Sequence, residues 1–170
     1  MKTAWFPVLG LLVAAVVHAG ALEVKPDKEN VVASRLCGKW VVEPKLSQRL
    51  TAGVVDRESP SGKIEFASDP AVAGKLPEKY LEFLKDKRIY MAGTMKSREK
   101  DCPFILIEHC GNPHVVWFRE RDGDPMGDAE SFNVILAVAK NPIDDLLFIG
   151  GDFNNQPFRA LERAERAEAK

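Results

Sequence analysis

PFILIEHCGNPHVVWFRE, residues 103–120, decides the fold of this chain. Two apolar runs of strand length, Pro103–His109 and His114–Glu120, flank Cys110-Gly111-Asn112-Pro113. Gly, Asn and Pro are residues that tight turns favour, so the stretch reads as two strands joined by a hairpin-length link. Outward from it the same unit recurs. Gly38–Glu43, Lys63–Ala67, Arg88–Lys96, Phe132–Ala139, Asp145–Gly150 and Phe158–Arg163 are further runs of strand length. Several alternate with a period of two, the mark of a strand with one face on a core. Phe132, Val134, Leu136 and Val138 share one side of their run, Ile64 and Phe66 alternate with Lys63 and Glu65, and Ile89, Met91 and Met95 alternate with Tyr90, Thr94 and Lys96. Arg121-Asp122-Gly123-Asp124-Pro125, Lys140-Asn141-Pro142 and Asp152-Phe153-Asn154-Asn155 supply turn chemistry between runs. About eight short strands with such links predict a mainly β chain, an antiparallel barrel or sandwich rather than a parallel sheet.

One segment departs from this pattern. Leu76, Tyr80, Phe83 and Leu84 fall at helical spacing, with Pro77 suited to a first turn and Glu78 and Lys85 placed to complement the helix dipole. The spacing predicts one short helix near residues 77–86, packed across an opening or edge of the barrel. Val31 to Leu36 is expected to form a helical turn ahead of the first strand. The tail, ERAERAEAK, is helix-prone but has no apolar stripe, so residues 164–170 are expected to fray.

The chain opens with MKTAWFPVLGLLVAAVVHAGALEVK. A single cation, Lys2, precedes an apolar core from Ala4 to Val17, shorter than the roughly 20 residues of a permanent span. Ala19-Gly20-Ala21 fits a peptidase site, with Val17-His18-Ala19 as a second possibility. Residues 1–21 therefore read as a signal peptide that is removed, residues 22–36 as a lead-in, and residues 37–163 as one β-barrel domain. The expected location is outside the cytoplasm, periplasmic or extracellular, with no membrane span after cleavage.

Charge excludes some partners. The 24 basic and 25 acidic residues give a net charge of −1, and removal of Lys2 with the leader makes it −2. Such a balance gives no electrostatic case for nucleic acid. The chain has three cysteines, Cys37, Cys102 and Cys110, an odd number in a compartment that permits disulfides. Cys102 and Cys110 bracket a strand about 26 Å long, too far apart to bridge, so any disulfide involves Cys37.

Two stretches carry a resemblance. Leu36-Cys37-Gly38-Lys39-Trp40-Val41-Val42 opens the first strand, and Phe158-Arg159-Ala160-Leu161-Glu162-Arg163 closes the last. The Gly-x-Trp pattern resembles the lipocalins, and more closely the small lipocalin-like domains of exported bacterial proteins. The resemblance implies an up-and-down barrel with Gly38 and Trp40 at its closed end. It implies that a basic residue of the last strand, Arg159 or alternatively Arg163, packs over the indole, a contact favourable by roughly 0.5–2 kcal/mol. It also implies a binding or scaffold module, for a small apolar ligand or an exported protein, with no catalytic residue.

Candidate chemistry is sparse. His109, Cys110 and His114 flank one turn and are the metal-ligand types that suit zinc or copper, though three ligands at this spacing fit no standard pattern. Asp122, Asp124, Asp128 and Glu130 are a candidate oxygen set for calcium, without EF-hand spacing. There is no Gly-x-Ser-x-Gly elbow, and Cys110 and His109 are adjacent, a poor geometry for a thiol–imidazole pair on a strand. No cofactor and no enzymatic activity are expected. Met91, Met95, Phe104, Leu106 and Trp117, with Phe118, are the candidates to line a ligand cavity; their alternative role is to fill a closed core, since eight strands enclose little more than their own side chains. The other functions weighed are a metal protein or enzyme built on the His109–Cys110–His114 turn, and a barrel-type inhibitor of another exported protein.

Overall fold

The computed structural model describes residues 30–50, 62–97, 100–150 and 159–168. The expected signal peptide, residues 1–21, lies outside the described residues. The described chain runs α1 (Val31–Arg35), β1 (Gly38–Val42), α2 (Pro44–Leu50), β2 (Lys63–Ser68), a 3-10 turn (Pro70–Lys75), α3 (Glu78–Leu84), β3 (Ile89–Ser97), β4 (Lys100–His109), β5 (Asn112–Arg121), β6 (Asp124–Ala137), a 3-10 turn (Pro142–Asp144), β7 (Leu146–Gly150), β8 (Arg159–Arg163) and α4 (Ala164–Glu168). The eight strands form a closed barrel in sequence order, every neighbour antiparallel, and β8 returns to β1 through Trp40↔Arg163 and Val42↔Leu161. This is the lipocalin-like up-and-down form. None of the described helices is long and apolar enough to cross a membrane.

The hairpin that opened the sequence reading is tighter than its composition suggested. β4 and β5 pair as far as His109↔Asn112, leaving Cys110 and Gly111 as a two-residue turn with φ of 52° and 78°. Two consecutive positive φ values are what the twist of a two-residue hairpin demands. Asp122 and Gly123 repeat the solution between β5 and β6, at 54° and 81°. β6 consequently begins at Asp124, eight residues before the strand expected there.

Two clusters make the core. The inner one fills the barrel with Leu36, Trp40, Phe66, Met91, Met95, Phe104, Leu106, Val115 and others. The outer one lies on the opposite face of β3, β4 and β5 and includes Ile89, Ala92, Ile105, Ile107, Val116 and Phe118. A register shift between Ile89 and Met91 separates these two residues, so Ile89 does not share a face with Met91 and Met95 as simple alternation suggested. At Gly93 the strands approach so closely that a Cβ would stand 2.0 Å from the Ala67 carbonyl oxygen and 2.9 Å from the Phe104 ring.

One end of the barrel is locked. Trp40, fully buried, donates from Nε1 to the Leu36 carbonyl at 2.8 Å, and α1 sits over that end. The guanidinium over the indole belongs to Arg163, 3.8 Å from the ring centroid, and it also donates to the carbonyls of Cys37 (2.7 Å) and Arg35. This corrects the assignment of that role to Arg159, which begins β8 at the opposite end and pairs with Ile149. The cause is register: β8 is antiparallel to β1, so its last residue, not its first, reaches Trp40. Gly38 is required by its φ of 119°, and Arg163 Nη1 lies 2.7 Å from where a Cβ would be. Asp145, fully buried, accepts from Arg35 (3.1 Å) and from the Ala139 amide (2.8 Å) and completes the lock.

Two helical expectations change. Residues 164–168 of the tail form α4, where Arg166 donates to the Asp144 carbonyl (3.2 Å) and faces Glu162 at 3.5 Å. The helix near residues 77–86 forms as α3, yet it packs on the outer wall of the barrel, against the outer cluster, and not across an opening.

Candidate functional site

The outer wall is apolar because β4 and β5 are apolar on both faces. Ile105 and Ile107 point away from Phe104 and Leu106, and Val116 and Phe118 away from Val115 and Trp117. Leaving such a face in water is unfavourable by about 25 cal/mol for each Å². The segment 70–84 covers it: Val72, Ala73, Leu76 and Leu84 are buried, and Tyr80 packs on Phe118 with ring centroids 5.0 Å apart. The N-terminal end of α3 is tied down by Tyr80, whose hydroxyl donates to the Met126 carbonyl at 3.0 Å. Lys79 adds bonds to the Gly127 carbonyl (3.1 Å) and the Asp124 carboxylate (3.3 Å).

The cover is incomplete. Opposite the bulky Phe118 and Val116, β6 presents Ala129 and Ser131, and small side chains leave space. An apolar groove of about 250 Å³ runs between α3 and the sheet, lined by Tyr80, Phe83, Leu84, Val116, Phe118 and Ala129, with Glu130 and Ser131. Phe83, expected to join the buried stripe of the helix, is 51% exposed and forms the groove's outer lip. A smaller pocket of about 50 Å³ adjoins it, sharing Phe83, Val116 and Ser131 and adding Ile107, His109 and His114.

His109 and His114 do come together. Their rings stand 5.1 Å apart, edge to face, on the outer surface of the hairpin. The Nδ1 of His109 faces Lys87 Nζ at 3.3 Å, and the Nδ1 of His114 faces the Asn112 carbonyl at 3.2 Å. Burial, and then the positive charge of Lys87 and the second imidazole, push the His109 pKa below its ordinary value. Cys110 sits exposed in the turn, and no group of three or more His, Cys, Asp or Glu among the described residues is arranged to hold a metal. The candidate His109–Cys110–His114 set is thus two imidazoles beside an ammonium group, whose positive charge disfavours a cation there.

The acidic cluster is likewise dispersed. Asp124, Asp128 and Glu130 lie along β6, and only Asp122 is in the turn. Arg119 on β5 holds Asp128 at 2.8 Å and Glu130 at 2.7 Å, while Lys79 holds Asp124. The Arg119 hydrogen bond keeps the Asp128 carboxyl below its usual pKa, and the Met126 amide followed by Lys79 does the same for Asp124. Ion pairs engage these carboxylates, across strands to Arg119 for Asp128 and Glu130 and to Lys79 of α3 for Asp124.

Met91, Met95, Phe104, Leu106 and Trp117 all fall on the inner face. The first four are buried in one packed cluster, and Trp117 packs against it half-buried. Phe118 is not among them; it belongs to the outer cluster. The three cysteines are free, with Cys37 Sγ 3.8 Å from Met91 Sδ and burial raising the Cys37 pKa. No family model, curated protein or solved structure matches the chain.

Sequence reasoning missed Tyr80, Phe83, Leu84 and Lys87 as site residues. The signal was present: PFILI and HVVWF are apolar without alternation, which marks strands covered on both sides.

Proposed function

We propose that this chain is an exported lipocalin-like binding module for a small apolar ligand, bound in the groove between α3 and the outer wall of the barrel. One observation carries the reading: an apolar groove of about 250 Å³, walled by Tyr80, Leu84, Val116 and Phe118 and left open at the exposed Phe83. Small-molecule sites are concave, mostly apolar and largely preformed, with volumes of roughly 300–1,000 Å³ for drug-sized ligands, and this groove, just below that range, suits a smaller one. The inner candidates, Met91, Met95, Phe104 and Leu106, are already in contact with one another, so they serve this function by holding the barrel rigid under the groove. Export rests on the leader of residues 1–21 and the family on the Gly38, Trp40 and Arg163 arrangement.

Calorimetric titration with 1-octanol tests the reading, using purified protein and its Ser131→Trp variant, which fills the space where the two pockets meet. Saturable binding that disappears in the variant, with an unchanged far-ultraviolet spectrum, is the expected outcome. Equal binding by the variant, or none by the parent, overturns it.

A further inference from the structure

We infer that the ligand is an anionic amphiphile, a short single-chain carboxylate whose tail lies in the groove under α3 and whose head group sits at the Lys87–His109–His114 end. The inference rests on the binding function proposed above and names its ligand class.

The argument is the polarity of the groove along α3. Toward the N-terminal end of the helix lie carboxylates, Asp124, Asp128 and Glu130, already paired with Lys79 and Arg119. Toward its C-terminal end the lining turns basic. Lys87 follows the last turn, its amide bonded to the Leu84 carbonyl at 2.9 Å, and its ammonium lies 5.6 Å from the Phe83 ring and 3.3 Å from His109 Nδ1. His109 and His114 line the smaller pocket that adjoins the groove. Three basic side chains therefore meet where the apolar lining ends.

Hydrogen-bond roles favour an anion there. Lys87 donates to His109 Nδ1. Its ammonium carries further N–H groups, and a carboxylate only accepts. The Lys87 ammonium, after burial, helps to lower the His109 pKa, and an anion at the same place would oppose it. A neutral alcohol of the same length would gain the apolar contact with Phe83, Leu84, Val116 and Phe118 but not the charge-assisted bonds. A cationic head group would be repelled.

The test compares octanoate with 1-octanol by calorimetry on purified protein, Lys87→Gln and His109→Gln, adding a proton NMR titration of the His109 ring. Octanoate is expected to bind at least tenfold more tightly than 1-octanol. Lys87→Gln should reduce that preference severalfold, and octanoate should move the His109 pKa upward. If 1-octanol binds but octanoate binds no better, or if Lys87→Gln leaves octanoate affinity intact, the anionic head group is wrong while the apolar site stands. If neither ligand binds, both readings fall together.

Discussion

The two faces of β4 and β5 carry the same kind of side chain and come to different ends. Inside, Phe104, Leu106 and Val115 are enclosed because the sheet closes on itself, and each is fully buried. Outside, Ile105, Ile107, Val116 and Phe118 are equally apolar, but their cover is one short helix and a 3-10 turn. Closure of a barrel is a property of its hydrogen-bonded ring, so it encloses the central inward positions together. A helix covers only the strip its own side chains reach. The groove is what remains where that strip stops and β6 offers Ala129 and Ser131. The packed core and the proposed binding groove thus lie on opposite faces of the same strands.

The contrast breaks most sharply when a residue of the inner face is truncated. Phe104→Ala removes a fully buried ring that packs edge to face on Phe66 at 5.4 Å, and is expected to lower global stability by about 3–5 kcal/mol in urea unfolding. Gly93→Ala pushes a methyl group toward the Ala67 carbonyl and Phe104, with an expected loss of about 1–3 kcal/mol by the same measurement. On the outer face Tyr80→Phe removes only the bond to the Met126 carbonyl, at a cost of about 0.5–1.5 kcal/mol. Its hydrogen exchange should quicken in α3 while the inner strands keep their protection. Phe83→Ser, at the exposed lip, should change stability by no more than about 0.5 kcal/mol yet weaken 1-octanol binding. A fall in stability as large as that of Phe104→Ala would place Phe83 in the core and remove the distinction.

The smallest effect is electrostatic. The folded pKa of Asp128 is lowered by Arg119, so the stabilisation from this pair is present above the unfolded aspartate value of about 3.9 and is lost as pH falls through the lower folded value. Carbon NMR titration should find Asp128 ionising below the usual carboxylate range, and Arg119→Gln should return it upward.

How much of this was legible follows from the same two faces. Strand positions were readable throughout because turn residues punctuate them: Cys110-Gly111 and Asp122-Gly123 mark hairpins that the structure closes with positive φ at both central residues. The length of β6 was not, since DPMGDAE has the composition of a loop and becomes a strand only through pairing with β5 and the Arg119 ion pairs. The resemblance narrowed the Trp40 partner to Arg159 or Arg163 and favoured the wrong one, because composition carries no register. The groove was the least legible. It depends on which wall α3 chooses, and amphipathic spacing says that a helix has a buried face without saying what buries it.

The central claim is that ligand binds on the outer wall and not within the barrel. Carbon–proton methyl NMR spectra of purified protein during titration with 1-octanol test it most directly. The account predicts shifts at Leu84, Val116 and Ala129, with Leu106, Val115 and Leu147 unmoved. Shifts confined to Leu106, Val115 and Leu147 would contradict it and return the ligand to the barrel interior.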